Sequence, residues 1–401
     1  MIAVNEAENI IFKQKISLKT EVIPIKDAVG RVLAEDLCAD RDFPPFDRVM
    51  MDGIAVAYDS FSDKSPMIAE GIAPAGKPQQ MLQNLNHCLE VMTGAILPSN
   101  TDTVIRYEDL TIQNDKISIN LSKNELNKGQ NIHKKGSDRK KGEIIVNKGT
   151  IISPAEIGIA ATIGKENVKV SSKIRAIVIA TGDEIIPIDQ NPLPHQIRMS
   201  NVYTLQAALL QWGVDAEIIH LQDNQKLIED SIATFIQNYN LIILSGGVSA
   251  GKFDFVPKAL ENLGMEKLFH QVAQRPGKPF WFGRANENCL VFALPGNPVS
   301  TFLCLNRYVK PWLMQQYQQK NTQYWASLSE DFQFKPNLTF FLQVKLIFST
   351  NGTLIAQPIE GNGSRDLANL VEADAFLELP QKTDFFEKGQ SYRVYPFKNI
   401  F

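Results

Sequence analysis

Leu241-Ile-Ile-Leu-Ser-Gly-Gly-Val-Ser-Ala-Gly251 joins an apolar run to a glycine-rich turn. The run Leu241 to Leu244 reads as a buried parallel strand. Asp254 follows the turn. Further on come Arg275-Pro-Gly-Lys-Pro279, a second apolar run from Cys289 to Leu294, and Pro295-Gly-Asn-Pro298. Glycine lets a backbone approach a ligand closely, and free N–H groups at a strand-to-helix turn suit an anion. Proline stiffens such turns. With a hydroxyl, a carboxylate and a lysine beside them, these turns have the composition of a site for a phosphate-bearing ligand.

Upstream the pattern is βαβ. Ile174 to Ala180 is a strand ending in the turn Thr181-Gly-Asp-Glu184, and Asn201 to Trp212 is a helix with Asn201 as its N-cap. Asp215 to Leu221 is a strand, and Asn224 to Gln237 a helix. Downstream, Val299 to Leu313 reads as a helix with Pro311 near its end. Strands alternating with such helices predict a mostly parallel sheet, whose ligands sit at the carboxyl ends of the strands. The turns at Thr181 and Ser245 lie at such ends.

The flanks differ. Asn5 to Lys15 has helical spacing (Ala7, Ile10, Ile11), as do Asp27 to Ala34 and Pro154 to Gly164, where Pro154 suits a first turn. Between them, Cys88 to Met92, Thr103 to Tyr107 and Lys116 to Leu121 read as strands of an inserted β domain. Phe340 to Phe348 and Ala375 to Leu379 predict a second small β domain after Trp325.

Bulk properties exclude several classes. The 401 residues suggest more than one domain, and 44% hydrophobic with 21% charged residues is ordinary globular composition. A net charge of −3 gives no general case for nucleic acid or an anionic membrane. The basic run at His133-Lys-Lys and Arg139-Lys-Lys141 is local: a solvated loop, with an anion-binding edge as the alternative. No run reaches the roughly 18 apolar residues of a membrane span. The start, Met1-Ile-Ala-Val, does not read as a secretory signal. Cys38, Cys88, Cys289 and Cys304 form no C-x-x-C pair, which argues against a disulfide framework or zinc and fits a reducing cytoplasm.

Pro44-Pro-Phe-Asp-Arg-Val-Met-Met-Asp-Gly53, Thr93-Gly-Ala-Ile-Leu-Pro98, Thr181-Gly-Asp-Glu184, Ser245-Gly-Gly-Val-Ser249, Pro276-Gly-Lys-Pro279 and Leu294-Pro-Gly-Asn-Pro298 occur in that order. Over nearly its whole length the chain resembles the molybdopterin molybdenumtransferases, the MoeA and gephyrin E-domain family. The resemblance implies a multidomain α/β fold. A central, mostly parallel MogA-like molybdopterin-binding domain spans 173–318. An elongated α+β domain is built from 1–44 and 145–172, an inserted β domain spans 45–144, and a C-terminal β-barrel-like domain spans 319–401. It implies an enzyme that takes adenylylated molybdopterin and molybdate, releases AMP and leaves molybdenum on the pterin dithiolene, with Mg2+ or a similar divalent ion assisting. It further implies a cytoplasmic homodimer, in transient contact with other enzymes of the cofactor's synthesis.

Such chemistry asks for cations and N–H donors for phosphate and oxyanion, and for carboxylates to hold a metal or a water. By resemblance, Asp52, Asp138, Glu184, Asp254 and Lys278 are the catalytic set, with Asp254 and Asp223 as metal ligands. Thr93, Thr181, Gly182, Asp223, Ser245, Gly246, Gly247, Ser249, Arg275, Pro295, Pro298, Ser300 and Ser364 contact substrate. Plainer readings stand beside these. Asp52 suits an Asx turn or cap, Asp138 a surface charge, Glu184 a solvated turn, and Lys278 an exposed turn lysine. Asp223 and Asp254 suit helix caps, as do Ser245, Ser249 and Ser300. Asp183 suits orienting its own turn. Met50 stands where the family often has a small hydroxyl residue, His133 where arginine is common, and Arg275 where lysine is usual.

Two other functions fit parts of the chain. One is a molybdopterin adenylyltransferase, whose fold resembles the central domain alone. The other is a gephyrin-like scaffold without activity. The motif at Asp52 and the flanking β domains argue against the first, and the intact acids with Lys278 against the second.

Overall fold

The computed structural model describes residues 1–62, 64–248, 255–318, 322–361 and 363–398. The helix Val4–Lys13 buries Val4, Ala7 and Ile11, spaced to fall on one face, with Glu6 in its first turn and Lys13 in its last to suit the helix dipole. That face joins the core of the central sheet, beside Tyr308 and Trp312.

The strand Thr20–Pro24 pairs antiparallel with Asn167–Ser171. Helical spacing over Asp27 to Ala34 misleads. Only Ile25–Asp27 forms a 3-10 turn, after which Val32 bridges Ile151 and Leu33 bridges Val170. Gly30, at φ +80°, turns the chain so that its N–H reaches Ile152 O. Backbone groups here pair across to another segment rather than along a helix, so tertiary pairing overrides the local pattern. The helix Pro154–Thr162 does form, with a capping box between Ser153 and Glu156 and Pro154 in its first turn.

The inserted sheet orders its strands Thr103–Arg106, Gly53–Val56, Cys88–Val91, Met67–Ala73, Lys116–Ile119 and Leu110–Gln113. Ala55 and Val104 pack on one face, Ile54, Val56 and Ile105 on the other, as the two-residue strand period requires. Gly53 is needed for space: a Cβ there would lie 1.9 Å from Ile105 O.

The central sheet runs Asp215–Leu221, Arg175–Thr181, Leu241–Ser245, Cys289–Leu294, Trp281–Asn286, Glu266–His270. The first four strands are parallel, and Trp281–Asn286 runs antiparallel to both of its neighbours. Alternate residues feed two cores. Val178, Ile243 and Phe292 pack under the helix Asn201–Gln211, while Ile179, Leu244 and Val291 pack under Gln225–Asn238 and Val256–Asn262. In register, Thr181 lies opposite Leu221, Ala180 opposite Ser245, and Ser245 opposite Leu294. The turns leaving these strands therefore sit side by side.

The helix expected over Val299 to Leu313 is interrupted. Pro298–Cys304 is α-helical, Leu305–Val309 is a π turn, and Lys310–Gln316 is α-helical again. Pro311 has no N–H for the carbonyl of Arg307 and would crowd it, and the wider turn precedes it. Beyond it, Thr339–Phe348, Leu354–Pro358, Tyr324–Leu328, Ser391–Pro396 and Ala375–Leu379 pair in a ring that closes on Thr339–Phe348.

Gln274–Arg275, from the central region, adds to this barrel beside Thr339–Phe348. Arg307, with no exposed surface, meets Glu8 at 3.0 Å and Glu378 at 3.3 Å, and Glu8 also meets Arg393 at 3.4 Å. This ion cluster ties the first helix, the central domain and the barrel together. Cys38, Cys88, Cys289 and Cys304 are free, and no helix among the described residues is long and apolar enough to cross a membrane.

Candidate active site

A cleft of about 820 Å³ opens at the carboxyl ends of the parallel strands. Thr181, Gly182, Glu184, Asp223, Ser245, Gly246, Gly247, Pro295 and Pro298 line it, all of them expected from the sequence. Gly246 and Gly247 have φ of +104° and +65°. A Cβ on Gly247 would lie 2.9 Å from both Thr181 Oγ1 and Val256 Cγ2, so this loop lies against the end of the neighbouring strand. Thr181 is 3% exposed, and its buried hydroxyl has no hydrogen-bond partner among the described residues. A buried hydroxyl without a partner costs free energy, and here it faces the glycine loop beside open space.

The turns are held by polar groups. Asp183 Oδ1 accepts the Asp223 N–H at 3.1 Å, which is the orienting role foreseen for it. His220 Nε2 donates to Gly182 O at 2.9 Å. The cap of Gln225–Asn238 is Asn224, whose Oδ1 accepts from Leu227 N, so capping does not explain Asp223. Asn201 is likewise no cap: Ser200 holds that position. The Asn201 amide instead donates to Ser245 Oγ at 2.9 Å and Gly296 O at 2.8 Å, stapling two of the turns that line the cleft. Ser245 ends its strand and caps nothing in this arrangement.

A second cleft, of about 710 Å³, lies where the central domain meets the barrel. Arg275, Lys278, Ser300 and Ser364 line it, and it shares Pro279, Pro295 and Asn297 with the first. Lys278 is exposed and has no ion pair or hydrogen bond from its ammonium among the described residues. Arg275 lies over the Phe334 ring, 5.8 Å from its centre. Ser300 is 2% exposed and makes no helix cap. Asn297 gives its amide to Ser364 Oγ at 3.1 Å rather than to the helix it precedes. The second cleft has cations and hydroxyls but no carboxylate in its lining; the first has Glu184 and Asp223.

Asp52, Thr93 and Asp138 line neither cleft within one chain. Asp52 accepts the Thr93 N–H at 2.6 Å and hydroxyl at 2.8 Å, and these bonds hold its carboxyl below the usual range. Asp138 accepts from His133 Nε2 at 2.7 Å, while Arg48 donates to His133 Nδ1 at 3.0 Å. His133 is therefore held between two side chains rather than open to an anion. Ser249 and Asp254 lie outside the described residues, and among those described no group of three His, Cys, Asp or Glu side chains could hold a metal.

Sequence reasoning missed Asn201 as a site residue, and also Asn297, Arg198 and Arg365, which line the first cleft. Arg365, from the C-terminal region, stands next to Ser364 in a segment whose sequence carried no role for it.

Comparison with known proteins supports the same architecture. Residues 2–164 match the MoeA N-terminal region (domain I and II), 177–315 a "probable molybdopterin binding domain", and 326–397 the MoeA C-terminal region (domain IV). A molybdopterin molybdenumtransferase of Synechocystis sp. is 37% identical over 98% of this chain and 100% of its own. One of Bacillus subtilis is 33% identical over 98% of this chain and 93% of its own. The crystal structure of a molybdopterin biosynthesis MoeA protein from Pyrococcus horikoshii superposes with a TM-score of 0.84 at 29% identity, covering both chains fully.

Proposed function

Because the chain belongs to the molybdopterin molybdenumtransferase family, we infer that its two joined clefts serve the two substrates of one reaction. The protein is an enzyme of molybdenum cofactor biosynthesis: it inserts molybdate into adenylylated molybdopterin and AMP leaves. The adenylyltransferase and scaffold alternatives are not favoured, since relatives matched along the whole chain carry the transferase name.

The carrying observation is the wall that the clefts share at Pro279, Pro295 and Asn297. A pterin nucleotide in the first cleft and an oxyanion in the second would lie next to each other. In the first cleft the Thr181 hydroxyl and the Gly246–Gly247 backbone supply neutral donors for phosphate oxygens, with Arg198 and Arg365 as cations at its lining. In the second, Lys278 and Arg275 bring positive charge to the molybdate, and Ser300 and Ser364 bring hydroxyls.

Mg2+ suits the donors of the first cleft. Glu184 and Asp223 offer carboxylate oxygens, and Mg2+ commonly takes one or two carboxylates with substrate phosphates and water. Bound there, with Asp254 as a further ligand, it would neutralise charge on the anhydride. The homodimer belongs to the same reading. Asp52 and Asp138 reach neither cleft of their own chain, and Val22, Val29 and Ile151, on the two-stranded sheet of Thr20–Pro24 with Asn167–Ser171 and the segments beside it, leave apolar surface exposed. A second copy covering that face would bring these acids to its partner's clefts. The cytoplasm is the compartment that suits free cysteines and this substrate.

The test supplies purified protein with adenylylated molybdopterin, with and without molybdate, and in a separate reaction with molybdopterin and ATP. AMP release that depends on molybdate supports the reading. AMP transfer from ATP onto molybdopterin, with no molybdate-dependent release, would refute it.

A further inference from the structure

Gln274 has no exposed surface, yet it sits among Val272, Phe280, Cys304 and Tyr308, all core residues. An apolar side chain of similar length would fill that place, so the amide needs a reason beyond packing. Its bonds supply one. Nε2 donates to Gly277 O at 3.1 Å and to Cys304 Sγ at 3.5 Å, and Oε1 accepts the Tyr308 hydroxyl. Tyr308, also without exposed surface, lies in the π turn Leu305–Val309 and holds the amide in place.

Gly277 belongs to the turn that carries both cations of the second cleft. It has φ +88°, and a Cβ there would stand 2.8 Å from Gln274 Nε2 and 3.0 Å from Cys304 Sγ. The turn thus rests directly on the buried amide. The next carbonyl, Lys278 O, accepts the Val272 N–H at 3.0 Å. Two successive carbonyls are therefore fixed, one by a side chain and one by backbone. On the other side, Arg275 is held opposite Phe340 by its strand pairing with the barrel.

We propose that Gln274 is a positioning residue for the oxyanion cleft: its buried amide fixes the Arg275–Lys278 turn and so aims the cleft's cations. Without that amide the buried Gly277 carbonyl loses its partner, and the turn rotates to find another. Lys278 follows in the chain and moves with it. A displacement of about 1 Å in a positioned group can cost up to about 100-fold in rate. Gln274 stands at the back of the cleft's lining, but it has no exposed surface and its amide is taken up by Gly277, Cys304 and Tyr308, so its effect passes through Lys278 and Arg275.

This inference rests on the reading that the second cleft takes molybdate, and the experiment separates the two. The Michaelis constants for molybdate and for adenylylated molybdopterin are measured with Gln274→Met, Tyr308→Phe and Lys278→Ala, with a thermal melt for each. Gln274→Met is expected to raise the molybdate KM about tenfold and leave the pterin KM within about twofold, with a melting temperature lowered by a few degrees and the fold kept. Tyr308→Phe, which frees the amide's oxygen end, is expected to raise the same constant less, about threefold, and serves if Gln274→Met does not fold. Equal rises in both constants, or an unchanged molybdate KM in the foldable variants, would overturn the positioning role. If Lys278→Ala also leaves the molybdate KM unchanged, the cleft assignment falls with it. If Lys278→Ala raises it while the other two do not, only the positioning role falls.

Discussion

Replacing Thr181 by valine should move stability and binding in opposite directions. Valine keeps the branched shape and removes only the hydroxyl. In the protein Thr181 is 3% exposed and its hydroxyl is unpartnered among the described residues, so the folded state carries its desolvation without a compensating bond from them. Removing such a group relieves on the order of 1 kcal/mol of the 1–3 kcal/mol that an unpaired buried polar atom costs. For a domain of this size about 1 kcal/mol shifts the melting temperature by roughly 2–4 °C. Thr181→Val should therefore melt at the same temperature as the parent or a few degrees higher. On the proposed reading the hydroxyl donates to a phosphate oxygen of the bound substrate, and a hydrogen bond to a charged group contributes about 1.5–3 kcal/mol. The KM for adenylylated molybdopterin should rise between about 10- and 100-fold, since each 1.4 kcal/mol is tenfold. Calorimetric melting of the free enzyme and initial rates of AMP release measure the two effects. A fall of several degrees would mean that the hydroxyl already has a partner in the free enzyme. An unchanged pterin KM would mean that the first cleft does not hold the anhydride.

Other perturbations test other parts. Mixing chains carrying Asp52→Ala with chains carrying Lys278→Ala should restore molybdate-dependent AMP release in exchanged dimers, because one cleft then receives both intact groups; no recovery after proven subunit exchange would place Asp52 outside the partner's cleft. Burial would raise the Glu8 carboxyl, but the Arg307 and Arg393 guanidinia outweigh it and hold the group below its usual 4.5. A folded-state value below the unfolded one stabilises the fold above about pH 4.5 and loses that contribution as pH falls through the folded value. Glu8→Gln should thus cost roughly 3 kcal/mol near neutrality and flatten the loss of stability below pH 4.5, and denaturant melts at a series of pH values check both. Gly53→Ala should cost about 3 kcal/mol or prevent folding, because its Cβ would lie 1.9 Å from a backbone oxygen that cannot rotate away; a soluble variant with an unshifted melt would contradict the packing of the inserted sheet.

The sequence made the central domain legible because its strands are apolar along their length and end in glycine turns. Leu241–Ser245, Cys289–Leu294 and Arg175–Thr181 all form, and the register of a parallel sheet then brings Thr181, Asp223 and Ser245 into one cleft. Periodicity failed where long-range pairing took the backbone, as at Val32 and Leu33. It also failed where a polar side chain was directed to a distant turn. Asn201 and Asn297 stand at or next to helix starts, where asparagine normally caps, but their amides reach Ser245, Gly296 and Ser364 instead. That exchange has a consequence for function. A cap steadies one helix, whereas each of these amides joins segments far apart in the chain, at the rim of the clefts. Asn297 links the turn shared by both clefts to the barrel that carries Ser364 and Arg365. The barrel is tied to the central domain again at Arg307 and along Arg275. Its placement therefore sets the shape of both clefts at once, so changes in the barrel that leave every cleft residue intact should still alter how the two substrates meet.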